Sequence, residues 1–306
     1  MATTVENRPT MRKGPHSTAS RKRARSSYPL WFYLPAGVLF AVLFIVPTFA
    51  SFFFSLTRWT LFDYQFIGLD NYKTFFSEPA LVKGLEHTLI YAVITSGLKV
   101  VIGMLLAVLL TSQVVGRNFL RSVVFFPVLV STIGVGLTFT ALMDPQGLIN
   151  DALSVFGVTG PDWLGNPKLA LLSVAAVDVW KGVGLATVIY IAGIVSIPHE
   201  YFEAAMMDGA SAFDRFRHII LPLARPATVT VITLSLIGGL RSFDLIWAMT
   251  RGGPGFTSDV IASVIYKQYQ AGFYGLSTAG NVVLFLVVTA IVFPLSRFLN
   301  RKETEL

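Results

Sequence analysis

The sequence predicts an all-α, polytopic integral membrane protein with about six transmembrane helices. Three observations carry that reading. Of 306 residues, 54% are apolar and 13% are charged, about half the charged share of a soluble domain. Stretches without Asp, Glu, Lys or Arg run over 26–57, 122–143 and 268–296. Each is longer than the roughly 20 residues a helix needs to cross a hydrocarbon core of about 30 Å. Cysteine is absent, so disulfides, thiolate catalysis and Cys-ligated metals are excluded as organising principles.

In chain order, residues 1–29 come first. They carry Arg8, Arg12, Lys13, Arg21, Lys22, Arg23 and Arg25 against one acid, Glu6, among Ser, Thr and Pro. Such a segment cannot bury enough apolar surface to fold, so a disordered basic tail is expected. The apolar run that follows is much longer than the roughly 7–15-residue core of a signal peptide, which predicts an uncleaved first helix. The spans are placed at about 30–57, 88–113, 119–142, 169–195, 221–249 and 279–299, together a membrane domain over 30–299. Residues 300–306 form a short tail. Pro47, Pro127 and Pro294 fall in or near spans, where neighbours can satisfy the lost backbone bond. Gly134, Gly136, Gly238 and Gly239 suit close helix packing.

Orientation follows from the loops. With the N-terminus inside, the inside segments hold the seven tail cations, Arg117, Arg121, Arg215, Arg217, Arg297, Arg301 and Lys302. The outside loops hold Arg58, Lys73, Lys83, Lys168, Arg251 and Lys267. The positive-inside rule then puts both termini in the cytoplasm of a cell membrane. The loops 58–87 and 143–168 face outside, and the loop 196–221 faces the cytoplasm.

That cytoplasmic loop is the informative one. Pro198 suits a first helical turn, and 199–208 holds good helix formers with its acids early. Gly209 is a natural stop, and Ser211 with Asp214 resembles a capping box that starts a second short helix. Pro222 marks the entry to the fifth span. Tyr201, Phe202, Phe213 and Phe216 cannot all hide in so small an element. Some are expected under the bundle and some against a partner.

Glu203-Ala204-Ala205, Asp208-Gly209-Ala210 and Ile220-Leu221-Pro222 resemble the Glu-Ala-Ala loop of ATP-binding-cassette importer permeases. Phe66-Ile67-Gly68-Leu69-Asp70-Asn71-Tyr72 is similar to a signature of the carbohydrate-uptake group. So is Phe243-Asp244 with Met249-Thr250-Arg251-Gly252-Gly253-Pro254. The resemblance runs from about residue 30 to 301 and points to the F-type inner-membrane component of maltose and glycerol-phosphate transporters. It implies a type I importer transmembrane domain whose loop 197–222, with Glu203, Ala204, Ala205, Asp208, Gly209 and Pro222, forms a coupling helix docked on an ATPase. It also implies a second homologous permease, two copies of an ATP-binding subunit and an extracytoplasmic solute-binding protein, with ATP and magnesium held by the ATPases. No cofactor, metal or nucleic acid is expected on this chain; its remaining contact is membrane lipid. The sequence has no Gly-Lys dipeptide and so no phosphate-binding loop of the Walker type. His199-Glu200 lacks the second histidine of a zinc-protease motif. The expected function is half of a translocation pathway for a sugar, oligosaccharide or polyol. The competing class is an ion-coupled secondary transporter, whose mark would be matching internal halves, and none is seen.

Charges inside spans are expensive unless they meet a partner or a cavity. Lys99 lies in span two, Asp178 and Lys181 in span four, and Arg241 and Asp244 in span five. The spacing of three suggests two intrahelical pairs, Asp178 with Lys181 and Arg241 with Asp244. Alternatively, Asp178, Trp180, Arg241, Phe243, Asp244 and Trp247 line the translocation path.

Overall fold

The computed structural model describes residues 30–301. The basic tail 1–29 and residues 302–306 lie outside the described residues. Two compact units divide the chain, Met1–Pro47 and Thr48–Leu306.

In the first unit a short 3₁₀ turn (Leu30–Tyr33) leads into α1 (Leu34–Phe40), followed by a π turn over Ala41–Ile45. Trp31, Phe40, Leu43 and Phe44 are all exposed. A helix that is apolar all round belongs in lipid or against another chain.

The remaining elements follow in order. They are α2 (Val46–Phe54), a hairpin of β1 (Thr57–Trp59) and β2 (Tyr64–Phe66), α3 (Asp70–Ser77), α4 (Pro79–Thr111), α5 (Arg117–Leu129), α6 (Thr132–Leu142) and α7 (Leu148–Val155). Then come α8 (Ala170–Val195), α9 (His199–Met207), α10 (Ala212–Arg215), α11 (Leu221–Leu223), α12 (Arg225–Leu240), α13 (Asp244–Met249), α14 (Ile261–Gln270) and α15 (Tyr274–Arg301). Among the described residues, four helices are long and apolar enough to cross a membrane, or six if two bent pairs each count as one span.

Several helix limits differ from the expected spans. The second helix starts at Pro79 rather than near 88, because Pro79 is pre-set for a first helical turn and the charged residues Lys83 and Glu86 extend the helix beyond the apolar stretch. The third span is two helices bent by 101°. Pro127 cannot donate a backbone bond, and the helix stops at Leu129 with Val130 extended. The fifth span is also broken. The helical run Ala212–Leu223 meets α12 at 68°, so the membrane helix begins at Arg225 and not at Pro222. It ends at Leu240, well short of 249. The loop 58–87 is a hairpin plus helices, and the loop 143–168 contains α7.

Helix α4 is the central post, packed by α8 and α12. Glycines set the closest approaches. A Cβ on Gly103 would lie 2.9 Å from the Ala186 Cβ, and one on Gly239 would lie 2.7 Å from the Ala92 Cα. Small residues of this kind let helices touch where lipid offers no hydrophobic drive. One core cluster joins Tyr91, Val135, Val174, Leu245 and Ile246. A second joins Met104, Tyr190, Ile194, Ile220 and Val231, with Phe202 and Phe216 packed against it.

The two loop signatures turn out to be scaffolding. Asn71 is buried, and its amide donates to the Ser55 and Thr57 carbonyls at 2.8 Å each, tying α3 to the hairpin. After Gly252-Gly253-Pro254 the loop buries Asp259, which accepts from Lys267 Nζ at 2.6 Å and from the Ser263 hydroxyl at 2.7 Å. Gly252 has φ +85, and any side chain there would strike the Asp259 carboxylate.

Candidate functional site

The loop between α8 and α12 is built by local code. Helix α9 ends in a left-handed residue, Gly209, at φ +76. Its N–H donates to the Met206 carbonyl at 3.1 Å, and the Ala210 N–H donates to the Ala205 carbonyl at 2.9 Å. This paired closure satisfies carbonyls that a helix end otherwise leaves bare. Two residues on, Ser211 caps α10. Its hydroxyl accepts from the Asp214 N–H at 3.2 Å, while the Asp214 carboxylate accepts from the Ser211 N–H at 3.1 Å. The Ser211 hydroxyl and backbone N–H hold the Asp214 carboxyl below its ordinary pKa. A π turn, Phe216–Ile220, carries the helix on to α11.

The four aromatics divide as expected. Phe202 and Phe216 pack under the element against the bundle. Tyr201 and Phe213 stay exposed, as do Met206 and Met207, the last by 88%. Glu203 and Ala204 are exposed beside them, and Ala205 is half-buried. Glu203 also has a neighbour unforeseen from sequence: its carboxylate lies 3.0 Å from His199 Nδ1, one turn back. The result is a capped, two-helix projection presenting an apolar, sulfur-rich and acidic tip. Beneath it a cavity of about 680 Å³ is lined by Ser112, His199, Phe202, Met206 and Arg215, among others.

The membrane charges are arranged differently from either expected pair. Asp178 on α8 accepts from Lys99 Nζ on α4 at 2.7 Å, so its partner is across the helix interface and not Lys181. Lys99 reaches it because Gly182 offers no side chain; a Cβ there would lie 2.7 Å from Lys99 Cε. Arg241 and Asp244 do not share a helix at all. Arg241 caps the end of α12 and Asp244 opens α13. Each charge complements the dipole of its own helix, which removes the need for a mutual pair. Among the described residues, the ion pairs involve neither of them nor Lys181.

Around that break sits an aromatic group. Phe243 and Trp247 stack at 5.7 Å, and Tyr266 of α14 meets them edge-on at 5.3 and 4.9 Å. Trp180 is 43% exposed and lies 5.1 Å from Phe139. Tyr91 and Thr95 belong to no motif of the sequence. Both are fully buried, and neither hydroxyl has a hydrogen-bond partner among the described residues. Tyr91 neighbours Asp178 and Ser242. With Lys99 these hydroxyls repeat every four residues, the spacing of one helix face, and that period is the signal the sequence offers.

Residues 99–304 match the family described as the binding-protein-dependent transport system inner membrane component. The chain belongs to this family. The permease is 33% identical over 271 residues to the trehalose/maltose transport system permease protein of Thermococcus litoralis, covering 87% of this chain and 92% of that one. It is 30% identical to the arabinooligosaccharides transport system permease protein of Bacillus subtilis, covering 88% and 87%. A solved bacterial transporter for import of the acidic polysaccharide alginate has the same fold, with TM-score 0.78 and 23% identity over 88% of this chain and 94% of that one. The permease is thus a multi-pass membrane component of an importer with the type I transmembrane architecture, as the Glu-Ala-Ala resemblance implied.

Proposed function

We propose that this permease forms half of the translocation pathway of an ATP-driven carbohydrate importer. A second homologous permease forms the other half. The assembly holds two copies of an ATPase subunit, which carry ATP and magnesium, and one of them docks on the loop 197–222. A binding protein delivers cargo on the opposite face, and both termini lie in the cytoplasm. The names of the relatives support a carbohydrate cargo, and the loop supports the docking role. The observation that carries the proposal is the exposed tip around Glu203, with Tyr201, Met206, Met207 and Phe213 uncovered on an element whose other aromatics pack it against the bundle. Exposed apolar side chains gathered on one projection mark an interaction surface.

Arg241, Phe243, Asp244, Trp247 and Trp180 then face the path. A helix broken at mid-span leaves backbone groups that lipid cannot satisfy, so the break at Arg241–Phe243 needs a wet cavity. Aromatic faces beside charged hydrogen-bonding groups suit a polyol. Asp178 is withdrawn into its pair with Lys99 and supports the wall from behind.

The native chain lacks cysteine, so one experiment joins orientation to energy source. Met207→Cys in the assembled transporter is labelled with an impermeant thiol reagent in sealed vesicles, and labelled-disaccharide uptake is measured with the binding protein. Uptake should require ATP on the face where residue 207 is labelled. Uptake driven by an ion gradient without bound ATPase would establish the secondary-transporter class instead.

A further inference from the structure

The second site lies where α4 ends and α5 begins. Leu110 is in the last turn of α4, where carbonyls lack helical partners. Its oxygen accepts from Arg121 Nη2 at 2.8 Å. That contact uses one of the five guanidinium donors. The Nε–H is buried and has no hydrogen-bond partner among the described residues. Among the described residues no carboxylate forms an ion pair with Arg121, and the chain has no Asp or Glu between His87 and Met143. Arg117, one turn earlier on the same face of α5, is exposed and also absent from the ion pairs of the described residues.

Arg121 borders a groove of about 370 Å³ between α4, α5 and α8. Its walls are mostly apolar, from Leu110, Val124, Phe125, Val188 and Ile191, with Ser122 and Thr187 the polar lining residues beside Arg121 and Gly184 at the base. At its base Gly184 lets the α5 backbone press against α8, with the Val124 carbonyl 2.5 Å from where a Cβ would stand. The side chains flanking it, Val123, Phe126 and Leu185, are exposed and apolar, as a lipid-facing rim must be. Arg121 is four residues into α5, about 6 Å along the helix, at the depth where a long cationic side chain reaches the headgroup layer.

We propose that this groove binds an anionic phospholipid, with one acyl chain along the apolar walls and the phosphate on Arg121 and Arg117. A fork of free guanidinium donors beside an apolar slot matches a phosphodiester on a hydrocarbon tail. A zwitterionic lipid would leave the excess positive charge uncompensated. The proposal is independent of the cargo and of the ATPase docking reading, since it uses neither element.

The assembled transporter, with the full chain, is placed in nanodiscs of phosphatidylcholine containing a minor fraction of phosphatidylglycerol. Lipid retained after detergent extraction is counted by native mass spectrometry. Wild type should retain phosphatidylglycerol in excess of its bulk share. Val188→Trp fills the groove while sparing the arginines and the α4 cap, and should lower retention about tenfold. Arg121→Gln should do the same, since loss of a charged hydrogen bond to phosphate is worth about that factor. If Arg121→Gln fails to fold for want of its cap, Arg117→Gln and Val188→Trp decide. Retention equal in wild type and variants, or at the bulk ratio in wild type, overturns the proposal. So does a Val188→Trp complex that loses the second permease while keeping its phosphatidylglycerol, because the groove would then be a subunit interface.

Discussion

Lys99 and Asp178 stand 79 positions apart in the chain, yet their side chains meet at 2.7 Å between α4 and α8, with Lys99 buried. Each neutralises the other where neither is affordable alone. Removing one partner of a buried pair leaves an uncompensated charge and costs about 3–5 kcal/mol, whereas replacing both by apolar residues is often neutral. Lys99→Met should therefore sharply lower membrane abundance and the melting temperature in detergent. The double variant Lys99→Met/Asp178→Leu should recover most of both. A double variant as unstable as the single would show that the pair has another role.

Gly209 sits at φ +76 with open space around it. Gly209→Val meets no clash, but its branched side chain disfavours that backbone by about 1–3 kcal/mol. The variant should insert at wild-type level, misalign α9 with α10 and lose ATP-driven uptake. Western blotting beside uptake separates the two effects. Normal uptake would mean that the turn tolerates another geometry.

How much of this was legible follows from where the information lies. Gly209, Ser211 and Asp214 were readable because capping is a local code, spelled within three or four residues of the helix end. The partner of Asp178 was not, because Lys181 at three residues and Lys99 across an interface are equally good charges, and only packing around Gly182 decides. The break at Arg241–Phe243 was hidden by an unbroken apolar pattern on both sides of it. The bend after Pro127 had its signal in the proline but no sign of its size. Residues 79–87 looked like loop since their charges end the apolar run, although helices extend beyond the bilayer at no penalty.

Asp214 gives a pH dependence. Its carboxyl is held below the ordinary value by Ser211, so the capping box is fully formed above the unfolded-chain pKa of about 3.9. Its contribution drains away as the pH falls through the lower folded value. Amide protection over 212–216, corrected for the intrinsic pH dependence of exchange, should be flat from neutral pH down to about 5 and then decline. Asp214→Asn should remove that acidic decline, and an unchanged profile in that variant would contradict the assignment.

Arg241 and Asp244 are not paired, so their variants should not rescue each other. Arg241→Gln and Asp244→Asn should each leave abundance near wild type and reduce uptake. The double variant should lower transport by the product of the two factors, within the roughly 0.5 kcal/mol expected of uncoupled sites. Recovery of uptake in the double variant would restore the pairing and remove both residues from the path.

The central claim is that the tip around Glu203 is where the ATPase is held. The most direct measurement is the amount of ATPase that co-purifies with the Glu203→Lys permease, scored beside its abundance in the membrane. Glu203 is exposed with His199 as its neighbour, so reversal should leave the fold intact. A charged contact desolvated at an interface is worth about 2–5 kcal/mol, and the variant should lose at least tenfold in ATPase binding, with part recovered by an opposite charge reversal on the ATPase. A Glu203→Lys permease that purifies with its full complement of ATPase and transports normally would contradict the account.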